Sequence, residues 1–120
     1  MSVVLIADDS MFQRFFIKKI VTETGHAPLE AATGRELLDL ALDKAPDLII
    51  MDLNMPELSG LEVLEALRDS GKAFTTAVVT ADIQHTTKAR CLELGAREVL
   101  HKPVDEEALR GVLSRLLPTA

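Results

Sequence analysis

The 120-residue sequence predicts an α/β fold in which helices wind both faces of an open, parallel five-stranded sheet. Two observations predict it. Short apolar runs alternate, five times over, with segments of helical period. The runs are continuous in Val, Ile and Leu rather than alternating with polar residues, as strands covered on both faces require. No repeat, low-complexity segment or internal linker interrupts the series. Residues 1–120 therefore read as one domain, ordered βαβαβαβαβα with right-handed crossovers.

The first run, Val3–Ala7, is a strand that ends in the acid pair Asp8 and Asp9. Ser10 is a good N-cap for a helix over Met11–Val21, in which Phe12, Phe16 and Ile20 fall four apart with Phe15 beside them. Gly25 stands where that helix should be capped. Arg14, Lys18 and Lys19 on the same helix read as a solvated face. A weaker run, Pro28–Ala32, is the second strand. Leu37, Leu38, Ala41, Leu42 and Ala45 form one stripe of the second helix. The third strand, Leu48–Met51, stops at Asp52. Leu61, Leu64 and Leu67 mark the third helix. The fourth strand, Ala77–Val79, leads to Thr80; Thr75 and Thr76 read only as β-branched strand residues. The fourth helix holds Cys91 and ends near Gly95. The fifth strand, Glu98–His101, leads to Lys102. Leu109, Val112, Leu113, Leu116 and Leu117 line the last helix, which Pro118 stops.

Almost half the residues are apolar, but the only aromatics are four Phe, so aliphatic side chains must fill the core. The net charge of −6 argues against direct nucleic-acid binding or attraction to an anionic membrane. One cysteine, Cys91, makes neither an internal disulfide nor a cysteine-rich zinc site, and it reads as a small buried hydrophobe. His26, His85 and His101 have no metal-site spacing, and Met51 and Met55 read as packing. The N-terminus has no basic region before its apolar run, and no run approaches membrane-spanning length. The expected location is cytoplasmic.

Parallel strands point their carboxyl ends the same way, and open sheets bind ligands there. Asp8, Asp9, Asp52, Thr80 and Lys102 all fall at that edge. Three carboxylates about 4 Å apart repel by roughly 4 kcal/mol per pair at an effective dielectric near 20. Lys102 supplies one compensating cation. The second is a hard divalent ion, Mg2+, or else one carboxylate stays protonated. A carboxylate beside a metal suits phosphoryl transfer: Asp52 as nucleophile, Lys102 and Mg2+ neutralising charge, Thr80 bonding a phosphoryl oxygen.

With those residues in place, ADDS (7–10), MDLNMPELSG (51–60), VVTA (78–81) and HKP (101–103) occur in order, each after an expected strand. Together they resemble the response-regulator receiver domain of two-component signalling, over essentially the whole chain, and especially the stand-alone chemotaxis type. The resemblance implies a flavodoxin-like sheet in the order 2-1-3-4-5. It implies that Asp52 accepts a phosphoryl group from a histidine kinase or histidine phosphotransfer protein. Mg2+ would be held by Asp9, Asp52 and the Asn54 carbonyl, with Asp8 acting through water. Thr80 and Lys102 would contact phosphoryl oxygens beside the small Ala81. The Lys102–Pro103 bond would be cis, and Gly60 would permit the turn into the third helix. Asn54 and Asp82 would lie near the path of attacking water and tune hydrolysis. The output face would run roughly from Ile83 to Leu117.

One departure stands out. Many receivers carry Tyr or Phe where this chain has Val99, so the usual inward swing of a ring is missing. The expectation is that Thr80 still moves and that the loop after the fourth strand carries the change. An alternative function is a receiver-like interaction module that never takes phosphate; the intact acid set weighs against it. A haloacid-dehalogenase-like phosphatase needs a second Asp where Asn54 stands. A dinucleotide-binding domain needs a G-x-G-x-x-G that is lacking after the first strand. The sequence leaves open the downstream target, a fused output domain after Ala120, and a homodimer formed through the output face.

Overall fold

A computed structural model describes residues 1–118; Thr119 and Ala120, the end of the expected domain span, lie outside the described residues. Five strands, β1 (Val3–Ala7), β2 (Ala27–Ala31), β3 (Leu48–Met51), β4 (Thr76–Thr80) and β5 (Glu98–His101), alternate with five helices. These are α1 (Met11–Glu23), α2 (Gly34–Lys44), α3 (Gly60–Asp69), α4 (His85–Glu93) and α5 (Glu106–Leu116). The strands pair in parallel in the order β2-β1-β3-β4-β5, as the resemblance implies.

Strand alternation splits the core in two. Val4, Ile6, Leu48, Ile50, Ala77 and Val79 pack against α1 and α5. Leu5, Ala7, Ile49, Met51 and Val78 pack against α2, α3 and α4. All four residues of β3 are at most 1% exposed. Each such side chain contributes about 1.5–3 kcal/mol on burial, so the strand that precedes Asp52 is firmly anchored in the core.

Three expectations need correction. In α1 the inward residues are Ile17, Ile20 and Val21, with Phe16 partly buried, while Phe12 and Phe15 are 81% and 66% exposed. A spacing of four drifts round a helix of 3.6 residues per turn, and Phe12 ends about 140° from Ile17. In α2, Leu37 and Ala41 face the core, but Leu42 is exposed, and Ala45 is a left-handed C-cap (φ 46°) beyond the last turn. Arg14 is not on a solvated face, as described below.

Strand bounds agree for β1, β3 and β5. β2 lies one residue earlier than expected, and β4 gains a residue at each end through the Ile49–Thr76 and Thr80–His101 pairings. Ser10 caps α1 by accepting from the Gln13 amide, and Gly25 follows the cap with φ 87°. Cys91, Met51 and Met55 are buried in the core, as expected.

Candidate functional site

β1 and β3 are adjacent central strands, so Asp8 and Asp52, one step past β1 and β3, emerge side by side. The Asp52 amide donates to the Ala7 carbonyl at 3.0 Å and locks that register. Asp8 is 2% exposed and Asp52 7%, whereas Asp9 is exposed. Carboxylate oxygens of all three lie within 4.8 Å of one another.

The repulsion expected of such a cluster is answered by Lys102. Its Nζ donates to Asp8 Oδ2 at 3.0 Å and to Asp52 Oδ2 at 2.9 Å. Burial acts to depress the Lys102 ammonium, but the hydrogen bonds and attraction of Asp52 and Asp8 prevail, so its pKa lies above the usual value. The other oxygens are also engaged. Asp8 Oδ1 accepts from the Ser10 amide at 2.9 Å; Asp52 Oδ1 accepts from the Leu53 amide at 2.7 Å and, longer, from Asn54 at 3.4 Å. The Lys102–Pro103 peptide bond is cis.

Gly60 closes the loop that follows Asp52. Its amide donates to the Leu53 carbonyl at 2.8 Å, and a Cβ there would lie 2.6 Å from the Asp52 carbonyl oxygen and from Leu53 Cα. Its φ is not positive, so the missing side chain matters through this close approach rather than through turn freedom.

Asp8, Asp9, Asp52, Asn54, Thr80 and Lys102 line one cleft of about 550 Å³, to which Ala81 and Asp82 also contribute. The residues brought together at the sheet edge are those marked in the sequence. An all-oxygen set of three carboxylates beside an exposed Asn suits a hard divalent cation with room for water. Thr80 Oγ1 accepts from the Asp82 amide at 3.1 Å. Val99 pairs with Val78 across the β4–β5 ladder and is partly buried against the α2–α3–α4 core.

Two residues escaped the sequence reading. Arg14 donates to the Asp8 carbonyl at 2.6 Å and to Glu30 at 3.4 Å, with only 15% of its side chain exposed. Lys18 also pairs with Glu30. Only the position of Arg14, one turn beyond the Ser10 cap, hinted at this. Thr87 donates to Asp82 Oδ2 at 2.7 Å, and no pattern pointed to it. His26, scattered in the sequence, accepts from the Ser2 amide and ties down the N-terminus.

Comparison with known proteins agrees with this geometry. A family model described as the response regulator receiver domain matches residues 4–114. Protein PilH of Pseudomonas aeruginosa is 34% identical over 119 residues, covering 98% of each chain. Sporulation initiation phosphotransferase F of Bacillus subtilis is 27% identical, covering 96% of this chain and 93% of its own. The crystal structure of the chemotaxis response regulator CheY4 of Vibrio cholerae superposes with a TM-score of 0.89 at 33% identity, over 98% of this chain and 99% of that one. The chain therefore belongs to the response regulator receiver domain family, the phosphorylation-switched signalling domains of two-component systems.

Proposed function

We propose that Asp52 is the phosphoryl acceptor of this signalling domain. A carboxylate oxygen of Asp52 attacks the phosphorus of a phosphohistidine on a histidine kinase or phosphotransfer protein. A P–O bond forms as the P–N bond breaks, and the leaving imidazole recovers a proton. Water later attacks the same phosphorus, releasing inorganic phosphate and restoring the carboxylate. The observation that carries this reading is the bridge from Lys102 Nζ to both Asp8 and Asp52. It holds the Asp52 oxygen in a cationic field at the mouth of the cleft, where charge grows on the transferred group.

Asp8, Asp9, Asp52 and the Asn54 carbonyl would hold Mg2+, which supplies further neutralisation of the phosphoryl oxygens. Thr80 offers its hydroxyl to a phosphoryl oxygen, Ala81 leaves space for it, and Asn54 and Asp82 set water access. Met11, Phe12 and Phe15 form an exposed apolar surface that begins two residues after Asp9, and we assign it to the docking of the donor protein. Among the described residues no helix is long and apolar enough to cross a membrane. A cytoplasmic location fits donors of this class.

The test is intact mass after incubation with acetyl phosphate and Mg2+. Wild type should gain one phosphoryl adduct; Asp52→Asn, and wild type stripped of metal, should gain none. An adduct that persists in Asp52→Asn would overturn the assignment. Failure of wild type to be modified by a phosphohistidine protein and by acetyl phosphate alike would favour the phosphate-independent module.

A further inference from the structure

The segment between β4 and α4 is built unlike the other strand-to-helix connections. Residues 81–90 are exposed throughout, except Thr87. α4 buries only Cys91, near its far end, and its N-cap Gln84 makes no side-chain cap bond. α1, α2, α3 and α5 each have a side-chain cap from Ser10, Thr33, Ser59 or Asp105. What holds the start of α4 is Asp82. Its Oδ1 accepts from the Gln84 amide at 2.9 Å and its Oδ2 from the Thr87 hydroxyl at 2.7 Å. Its own amide donates to Thr80 Oγ1. One residue therefore grips the Thr80 hydroxyl with its backbone and the first turn of α4 with its side chain.

We propose that this Asp82–Thr87 clasp carries the state of the Thr80 hydroxyl to helix α4, with Thr87 as a positioning residue. The proposal rests on the reading of Asp52 as the phosphoryl acceptor and names the regulation of that same site. When the Thr80 hydroxyl turns to a phosphoryl oxygen in the cleft, the bond from the Asp82 amide must follow it or break. Either event displaces Asp82, and the carboxylate passes the displacement to Gln84 and Thr87. Residues 81–86 are all exposed, so little burial resists it, and Ile83, 74% exposed, rides on the moving segment as the surface that changes. Val99 offers no ring to do this instead. The Asp82 carboxyl is held below its usual range, first by the Thr87 hydroxyl and then by the Gln84 amide.

The experiment is residue-resolved amide exchange with and without fluoroberyllate and Mg2+, a phosphoryl mimic, on wild type, Thr87→Val and Thr87→Ser. In the free protein, Thr87→Val should speed exchange at the Gln84 and Lys88 amides about tenfold, as expected for losing one hydrogen bond to a charged group. Fluoroberyllate should change wild-type exchange at residues 83–88. In Thr87→Val that change should shrink to about a third or less, the mark of lost coupling rather than lost binding. Fluoroberyllate affinity is read separately by titration, and Thr87→Ser should restore the wild-type response. A Thr87→Val response as large as that of wild type overturns the clasp while leaving Asp52 as acceptor. A wild type that binds no fluoroberyllate overturns both.

Discussion

Asp52 and Asp82 follow neighbouring strands and are held in opposite ways. Asp52 caps a strand of four buried residues, is itself 7% exposed, and is bonded through backbone, Lys102 and the Leu53 amide. Asp82 stands in a segment exposed from residue 81 to residue 86 and is held by three hydrogen bonds within its own neighbourhood. The first arrangement fixes the carboxylate proposed as phosphoryl acceptor at one point. The second is a low-stability element of the kind that can take two positions. The two carboxylates thus differ in how they are supported: apolar burial for the one, a short polar chain for the other.

The sharpest test of the first support is Lys102→Met. Without the ammonium, Asp8 and Asp52 face each other buried and uncompensated. Removing one partner of a buried pair costs about 3–5 kcal/mol. Because Lys102 is itself a quarter exposed, about 1–3 kcal/mol is expected here. Phosphorylation by acetyl phosphate should fall about 100-fold or more, the usual effect of losing a charge-stabilising donor. Mg2+ should recover part of the lost Tm. The pairing raises the Lys102 pKa above its usual 10.5, so its contribution is whole below that value and is lost as the pH climbs through the higher folded one. The wild-type advantage should therefore be flat over roughly pH 6 to 9. A Lys102→Met protein as stable as wild type without Mg2+ would contradict the account.

Next in size is Gly60→Ala. Its Cβ would press on the Asp52 carbonyl oxygen and Leu53, and overpacking of this kind costs about 1–3 kcal/mol. Urea denaturation should show that loss, with slower phosphorylation as Asp52 shifts. At the start of α4, Gln84→Ala removes no cap bond and should stay within about 0.5 kcal/mol. Equal losses at the two helix starts would erase the contrast between the two supports.

A smaller effect separates the clasp from a plain surface carboxylate. Asp82 in wild type titrates below its usual 3.8, chiefly through Thr87. A depressed carboxylate contributes above the usual value, and that contribution is lost as the pH falls through the lower folded one. Titration of the Asp82 carboxyl carbon by NMR should give a midpoint that rises in Thr87→Val. An unchanged midpoint would show that Thr87 does not hold Asp82 in solution.

The rigid half of this contrast was legible in the sequence. Continuous runs such as Leu48–Met51, short and rich in β-branched residues between turn signals, suit strands covered on both faces, and in a parallel sheet a polar residue at the end of each such run emerges at one edge. The parallel order then brings Asp8, Asp52, Thr80 and Lys102 together whatever the loops do. The polar half was not legible. Thr87 sits amid exposed residues with no period, and its bond to Asp82 depends on how the chain turns between β4 and α4. Arg14 reads as one of three basic residues on a helix; only the fold shows the Asp8 carbonyl within its reach. The strand order and the cis peptide bond came from family resemblance, since neither spacing nor composition dictates them.

α1 misled for a related reason, and it gives the smallest expected effect. Aromatic residues at a spacing of four suggest a buried stripe, yet the inward arc is set by where β1 delivers the helix, and that arc takes Ile17, Ile20 and Val21. Phe12 and Phe15 are left facing solvent, where they support nothing in the fold. Phe12→Ser with Phe15→Ser should therefore change stability by no more than about 0.5 kcal/mol, as surface positions do. Ile20→Ala, on the other face of the same helix, should cost about 2–4 kcal/mol by leaving a cavity. Thermal denaturation of the two variants measures the difference. A large loss in the Phe pair would return the aromatics to the core. A small one frees the same double variant for a second use: slower phosphoryl transfer from a histidine protein would then report on docking at α1, because folding has already been shown to be indifferent to those two rings.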